Sequence, residues 1–206
     1  PCAEIEEIVT ATKTLPFEDY IECRTMNLLV KIYVVGDLFR EILGVIRYQN
    51  LSVFKILLLL KYEIISNYPT LMNLINSFVE GSKKPLFDSK EEIDDFAFTA
   101  DNLKGYISGK YGQNELSTHR AQAYIESLND LFDALKDATI LYLENEGALT
   151  STLKNYFIEA AEIGKLRKFN FSNYDNTFER KVNFDFVHAD KEGFLFNPSA
   201  YKIKTT

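Results

Sequence analysis

Glu115 and His119 stand four residues apart in a segment of helical spacing. That puts both side chains on one helix face, the geometry of a two-ligand metal clip. A metal site needs further donors, and no matching Glu or His pair occurs on another predicted helix, so the pair reads as an exposed helix start. His188, the only other histidine, ends a predicted strand beside a turn and reads as solvated. Cys2 and Cys23 lie 21 residues apart with no third cysteine, which rules out the tight thiolate spacing of an iron–sulfur site. Cys23 falls on the first predicted helix and reads as a small apolar filler.

Glu91, Glu92, Asp94 and Asp95 crowd a helix first turn, where acids stabilise the positive end of the helix dipole. Lys165, Arg167 and Lys168 run into Phe169, Phe171 and Tyr174, a basic–aromatic mixture that can hold single-stranded nucleic acid. The run is short, and cations belong at a helix end in any case. The glycine-rich GYISGKYG of residues 105–112 lacks the lysine–serine ending of a phosphate loop and reads as a flexible connection. No Gly-x-Ser-x-Gly elbow is present. No residue therefore stands out as catalytic, cofactor-binding or metal-ligating.

The composition agrees with that quiet chemistry. The chain has 206 residues, 46% hydrophobic and 26% charged, enough to bury a sizeable core in one domain. A net charge of -7 argues against nucleic acid as a partner. Two cysteines cannot frame a small disulfide fold, which points to a reducing, cytoplasmic compartment. The most apolar run, Ile56 to Leu60, is bracketed by Lys55 and Lys61 and falls far short of the roughly 20 apolar residues of a membrane span.

The elements that would carry these residues are mostly helical. Residues 1–15 read as a terminal strand, with Glu4 to Thr14 extended. Residues 16–168 read as a bundle of about seven helices. Pro16 opens the first, with Ile21, Leu28, Ile32 and Val35 as its apolar stripe. Asp37 caps the second, and Ser52 caps a third that is apolar nearly all round and ends at Pro69. Thr70 caps the fourth. Ser89 with Glu92 forms a capping box for the fifth, whose inner face is Ile93, Phe96, Ala100, Leu103 and Ile107. The sixth and longest runs from Asn114 to Asn145, and the seventh begins at Ser151. Residues 169–206 read as an aromatic loop and a β-hairpin, with Val182, Phe184 and Phe186 on one strand face and Gly193 to Lys204 as its partner. The fold class is mainly α, α+β overall.

One stretch carries a family likeness. Thr12, Thr14, Leu15, Glu18, Asp19 and Tyr20, followed by a helix pair and Leu57 to Leu60, resemble the segment after the partial barrel of radical-SAM enzymes with a cobalamin-binding domain. The likeness covers roughly Glu4 to Lys61. It implies an accessory C-terminal domain that packs on the catalytic barrel and helps to shape or close the substrate pocket. The parent enzyme would hold a [4Fe–4S] cluster, S-adenosylmethionine and cobalamin. This chain lacks both the Cys-x3-Cys-x2-Cys cluster motif and a cobalamin-binding Asp-x-His-x2-Gly, so the resemblance implies that barrel and cobalamin domains precede Pro1 in the same polypeptide and that the chain is inactive alone. The rival expectation is an autonomous helical protein-interaction module. A small-molecule sensor inside the bundle has no polar constellation to support it.

Overall fold

The computed structural model describes residues 8–83, 86–111, 113–167, 178–186 and 201–205. These residues form nine α-helices and one two-stranded ribbon. Helix α1 spans Phe17–Tyr33, α2 Arg40–Tyr48, α3 Val53–Leu59, α4 Pro69–Lys83, α5 Lys90–Ala97, α6 Ala100–Ile107, α7 Glu115–Glu126, α8 Leu128–Asn145 and α9 Ser151–Lys165. Strand β1, Phe178–Val182, pairs antiparallel with β2, Tyr201–Thr205.

Two interruptions turn seven expected helices into nine. The long helix from Asn114 breaks at Ser127, whose non-helical φ of -130° ends α7 and starts α8. The fifth helix breaks at Thr99, whose hydroxyl accepts the Asn102 N–H and restarts the chain as α6. The Asn102 amide also donates to the Phe96 carbonyl at 2.8 Å, satisfying the freed end of α5. Thr99 breaks the helix through a side chain that competes for backbone hydrogen bonds, whereas the buried Ser127 hydroxyl makes no such bond among the described residues.

Other caps fall where composition places them. Ser52, Ser89 and Asn114 each accept an N–H from the third residue beyond. The Glu92 carboxylate reaches back to the Asp88 N–H, one residue earlier than a capping box requires. Pro69 does not end the third helix but opens the fourth, and Thr70 lies inside α4. Proline suits a first helical position, where its missing N–H would be unsatisfied anyway. Asp37 does not cap α2 either. It adopts a positive φ of 54° in the turn, and Phe39 precedes the first helical residue.

The expected N-terminal strand is absent over residues 8–14. The hydroxyl of Thr12 accepts the N–H groups of Thr14 and Leu15, and the Thr12 N–H bonds the Leu15 carbonyl, closing a turn ahead of Pro16. The threonine-rich composition serves a local turn instead of a ladder. Residues 4–7 of that expectation lie outside the described residues.

At the other end the strand sits earlier than expected, at 178–182 rather than 182–187. Val182, Phe184 and Phe186 are indeed buried. The ladder stops at Val182 because the Asn183 N–H is taken by the Glu159 carboxylate at 2.9 Å. Of the expected partner strand Gly193 to Lys204, residues 193–200 lie outside the described residues, and 201–205 pair as β2.

The core is a single apolar cluster built around α8, which packs against α9, α3, α7, α2 and α4, while α1 lies on α4 and α7. Leu131, Phe132, Leu135, Ala138 and Leu143 of α8 are essentially inaccessible. Gly164 fixes the α8–α9 approach: a Cβ there would stand 2.1 Å from the Phe132 ring. Beyond Leu59 the third helix loosens into one π turn, Leu60–Ile64, and a 3₁₀ turn, Ile65–Asn67. Its faces divide: Ile56, Leu57 and Leu60 are buried, but Phe54 and Tyr62 are exposed. Val35, expected in the buried stripe of α1, is exposed because the helix has already ended at Tyr33.

The α5–α6 pair stands apart. No hydrophobic side chain from Leu86 to Tyr111 joins the core cluster. The pair has its own aromatic contacts instead, Phe87 on Phe96, and Tyr111 on both Phe96 and Tyr106. Of the inner face expected for this segment, Ile93, Phe96 and Leu103 are half-buried, while Ala100 and Ile107 are exposed, Ile107 to 70%.

Candidate functional site

The Glu115–His119 pair lies where α1, α4 and α7 meet. Arg24 of α1 donates from Nη2 to Glu115 Oε2 at 2.9 Å and from Nε to the buried Ser82 hydroxyl at 3.0 Å. The guanidinium also stands 5.4 Å from the Phe78 ring centre. His119 donates from Nδ1 to the Glu115 carbonyl at 2.9 Å and meets Phe78 edge-on. Both members of the supposed metal clip are thus spent on joining three helices. Among the described residues no three His, Cys, Asp or Glu side chains come together as a metal site.

Arg120 and Tyr124, one and two turns further along α7, close the end of α1. Arg120 donates to the Val35 carbonyl at 2.8 Å, and the Tyr124 hydroxyl to the Ile32 carbonyl at 2.5 Å. Gly36 (φ 103°) lies under this contact: a Cβ would come within 2.5 Å of Arg120 Nη2.

The basic end of α9 is likewise committed. Arg167 holds both carboxylate oxygens of the buried Glu41 and donates to the Leu38 carbonyl at 3.2 Å. Lys165 bridges Asp133 at 2.8 Å and Glu162 at 2.7 Å. Burial opposes the Asp133 charge, and hydrogen bonds from Lys165 and Lys136 more than offset it, so its carboxyl sits below its ordinary range. Lys165's hydrogen bond is the main reason the Glu162 carboxyl is also lowered. Lys168, Phe169, Phe171 and Tyr174 lie outside the described residues, as do Cys2 and His188.

Cys23 is exposed on α1 rather than filling the core. Of the acidic run only Glu91 and Glu92 fall in the first turn of α5, because the helix starts at Lys90. Asp94, a turn further on, pairs with Lys90 at 2.6 Å, and Glu92 serves the Asp88 N–H. Residues 105–111 of the glycine-rich segment form a hydrogen-bonded helix end, and Gly112 lies outside the described residues. Gly109 (φ 75°) ends α6 while the Lys110 and Tyr111 N–H groups return to the Gly105 carbonyl. Gly105 itself leaves the space that the Tyr111 ring occupies, 2.4 Å from where a Cβ would stand.

An open groove of about 460 Å³ lies between α9 and β1. Thr152, Asn155 and Ile158 form one wall, and Arg180, Asn183 and Phe184 the other. Its carboxylates are internally matched: Glu159 to Asn183, and Glu162 to Lys165 and Arg180. These contacts tie the ribbon to α9.

Apolar side chains are also exposed. On the α5–α6 pair, Phe98 is 67% exposed, and Ala100, Leu103 and Ile107 form a stripe at three- and four-residue spacing along α6. Residues 86–111 carry six acids against three lysines, a net of -3 around that stripe. The sequence shows the stripe itself, but its periodicity looks the same whether or not a core covers it.

No family model matches this chain, and no curated protein or solved structure is similar to it. No helix among the described residues is long and apolar enough to cross a membrane.

Proposed function

We propose that this chain acts by binding another protein and not by making or breaking bonds, and that the α5–α6 pair is its contact element. One observation carries the reading: no hydrophobic side chain of this well-capped helix pair joins the core cluster, yet Phe98, Ala100 and Ile107 are exposed on it. Exposed large apolar side chains grouped on one element mark interaction sites. The acidic surroundings select the partner's chemistry. They disfavour nucleic acid and anionic lipid and suit a protein surface with an apolar centre and a basic rim.

A photo-crosslinking amino acid at position 98, with one at the exposed position 62 of the bundle as control, tests this. The expected result is one discrete adduct from position 98, lost on Ile107→Asp and mapping to a basic–apolar segment of the partner. The same adducts from both positions, or none from 98, would contradict it.

A second reading follows from the resemblance of Glu4 to Lys61: an accessory domain of a cobalamin-type radical-SAM enzyme, with a barrel of the same polypeptide as the partner. The turn closed by Thr12 and running through Pro16 into an acidic helix start supports it. The gene sequence upstream of Pro1 decides: a Cys-x3-Cys-x2-Cys motif there sustains this reading, and a complete upstream sequence without one ends it.

A further inference from the structure

The apolar side of α6 selects the kind of segment that can cover it. At about 100° per residue, positions 100, 103 and 107 fall within about 60° of one another around the helix. Ala100 and Ile107 are exposed there, and Leu103 is half-buried. The opposite side of α6 is closed by the Tyr111 ring seated over Gly105. Both helix ends keep their own backbone groups occupied. The Thr99 hydroxyl accepts the Asn102 N–H at the start. At the finish the Lys104 carbonyl accepts from Ser108, the Gly105 carbonyl from Lys110 and Tyr111, and the Tyr106 carbonyl from Gly109. An extended segment laid on this side would press its N–H and C=O groups against carbon and leave them unmatched. A helix arrives with its backbone bonds already made and meets a stripe of this spacing with one of its own.

The surrounding charge selects the rest. Lys90 is paired with Asp94, and Lys104 with Asp101. Glu91 and Asp95 stand four apart on the exposed side of α5, on the helical line that leads to Phe98. Neither has an ion pair among the described residues. The charge left over beside the apolar stripe is therefore negative, and a second copy of the same face would set like charge on like.

We propose, resting on the reading of α5–α6 as the contact element, that its occupant is an amphipathic α-helix of the partner protein, apolar on one side and edged with Lys or Arg, packed along α6 as a third helix. Ala100, the smallest side chain of the stripe, leaves room for a large apolar side chain of that helix. The eight residues of α6 span about 12 Å, so the contact is small and its affinity lies in the micromolar range.

Two synthetic peptides of about 14 residues and identical Leu/Lys composition test this, one with leucines at heptad spacing and one with leucine and lysine alternating. Fluorescence anisotropy with the full chain reads the affinity, and a photo-crosslinking amino acid at position 98 or 62 reads the place. The heptad peptide should bind at least about tenfold more tightly than its isomer and be labelled from position 98 but not from 62. Ile107→Asp should weaken it about tenfold or more with an unchanged circular dichroism spectrum. Glu91→Lys combined with Asp95→Lys should weaken it several-fold and flatten its dependence on salt. The proposal is overturned if the heptad peptide fails to bind, if the alternating isomer binds as well, if labelling is the same from both positions, or if either variant binds like the wild type. A protein adduct from position 98 that maps to a strand or loop also overturns it while leaving α5–α6 as the contact element; no protein adduct from that position removes both.

Discussion

The bundle and the α5–α6 pair begin from similar local chemistry and end in different energetic states. Ser52, Asn114 and Thr150 cap bundle helices, while Ser89 and Thr99 cap the pair, all by the same bond to the third N–H beyond. Bundle helices then bury an apolar face in a common core. Helices α5 and α6 bury only Ala97 and Gly105. Caps define where a helix starts, but most helical stability in proteins comes from packing. The pair is therefore a formed element with little holding it to the rest, which is the condition a contact element needs.

The sharpest break in this comparison is Leu135→Ala against Ile107→Ala. Leu135 is fully buried, and its truncation should cost about 3–5 kcal/mol of unfolding free energy in urea titrations. Ile107→Ala should stay within about 0.5 kcal/mol. Equal effects would mean that the pair belongs to the cooperative core. Next comes Gly164→Ala, whose new methyl would collide with Phe132; a loss of about 1–3 kcal/mol is expected from thermal or urea unfolding. Thr99→Ala removes the cap that restarts α6 and should cost about 1 kcal/mol. The loss should show as faster amide exchange in α6 with the global midpoint unchanged.

Alkaline pH should sharpen the picture from the bundle side. Burial pushes the Tyr33 hydroxyl well above its ordinary 10.0, and burial followed by a hydrogen bond to Asp137 raises Tyr68. Both groups stay protonated in the folded state after they would ionise in the unfolded chain. Their contribution is complete below the unfolded pKa and is lost as pH rises from there toward the folded pKa. Stability should therefore fall above about pH 10. Tyr33→Phe should flatten that fall, and at neutral pH it should cost little, because the buried Tyr33 hydroxyl has no hydrogen-bond partner among the described residues.

Much of the bundle was legible in the chain because its signals are local. Ile21, Leu28 and Ile32 recur at helical spacing and are buried; Ser52, Ser89 and Asn114 stand at the starts they were expected to mark. Thr99 was not legible as a break, since a single polar residue inside an apolar period gives no sign of whether its side chain will capture the backbone. Ser127 was not legible either, because its hydroxyl captures nothing among the described residues and only its backbone angles mark the break. The committed state of Glu115 and Arg167 was hidden for a different reason. Their partners, Arg24 and Glu41, are 91 and 126 residues away, and no spacing rule reaches that far. The bareness of Ile107 was hidden because an apolar stripe implies burial only when another surface arrives to cover it.

Native-state hydrogen exchange across increasing urea tests the central claim most directly, since it measures the opening free energy of each helix in the intact chain. Amides of α5 and α6 should exchange through a local opening several-fold cheaper than the global unfolding that governs α8, with little dependence on urea. If α6 and α8 instead exchange with the same free energy and the same urea slope, the pair is part of the core's cooperative unit, and its role as an independent contact element is wrong.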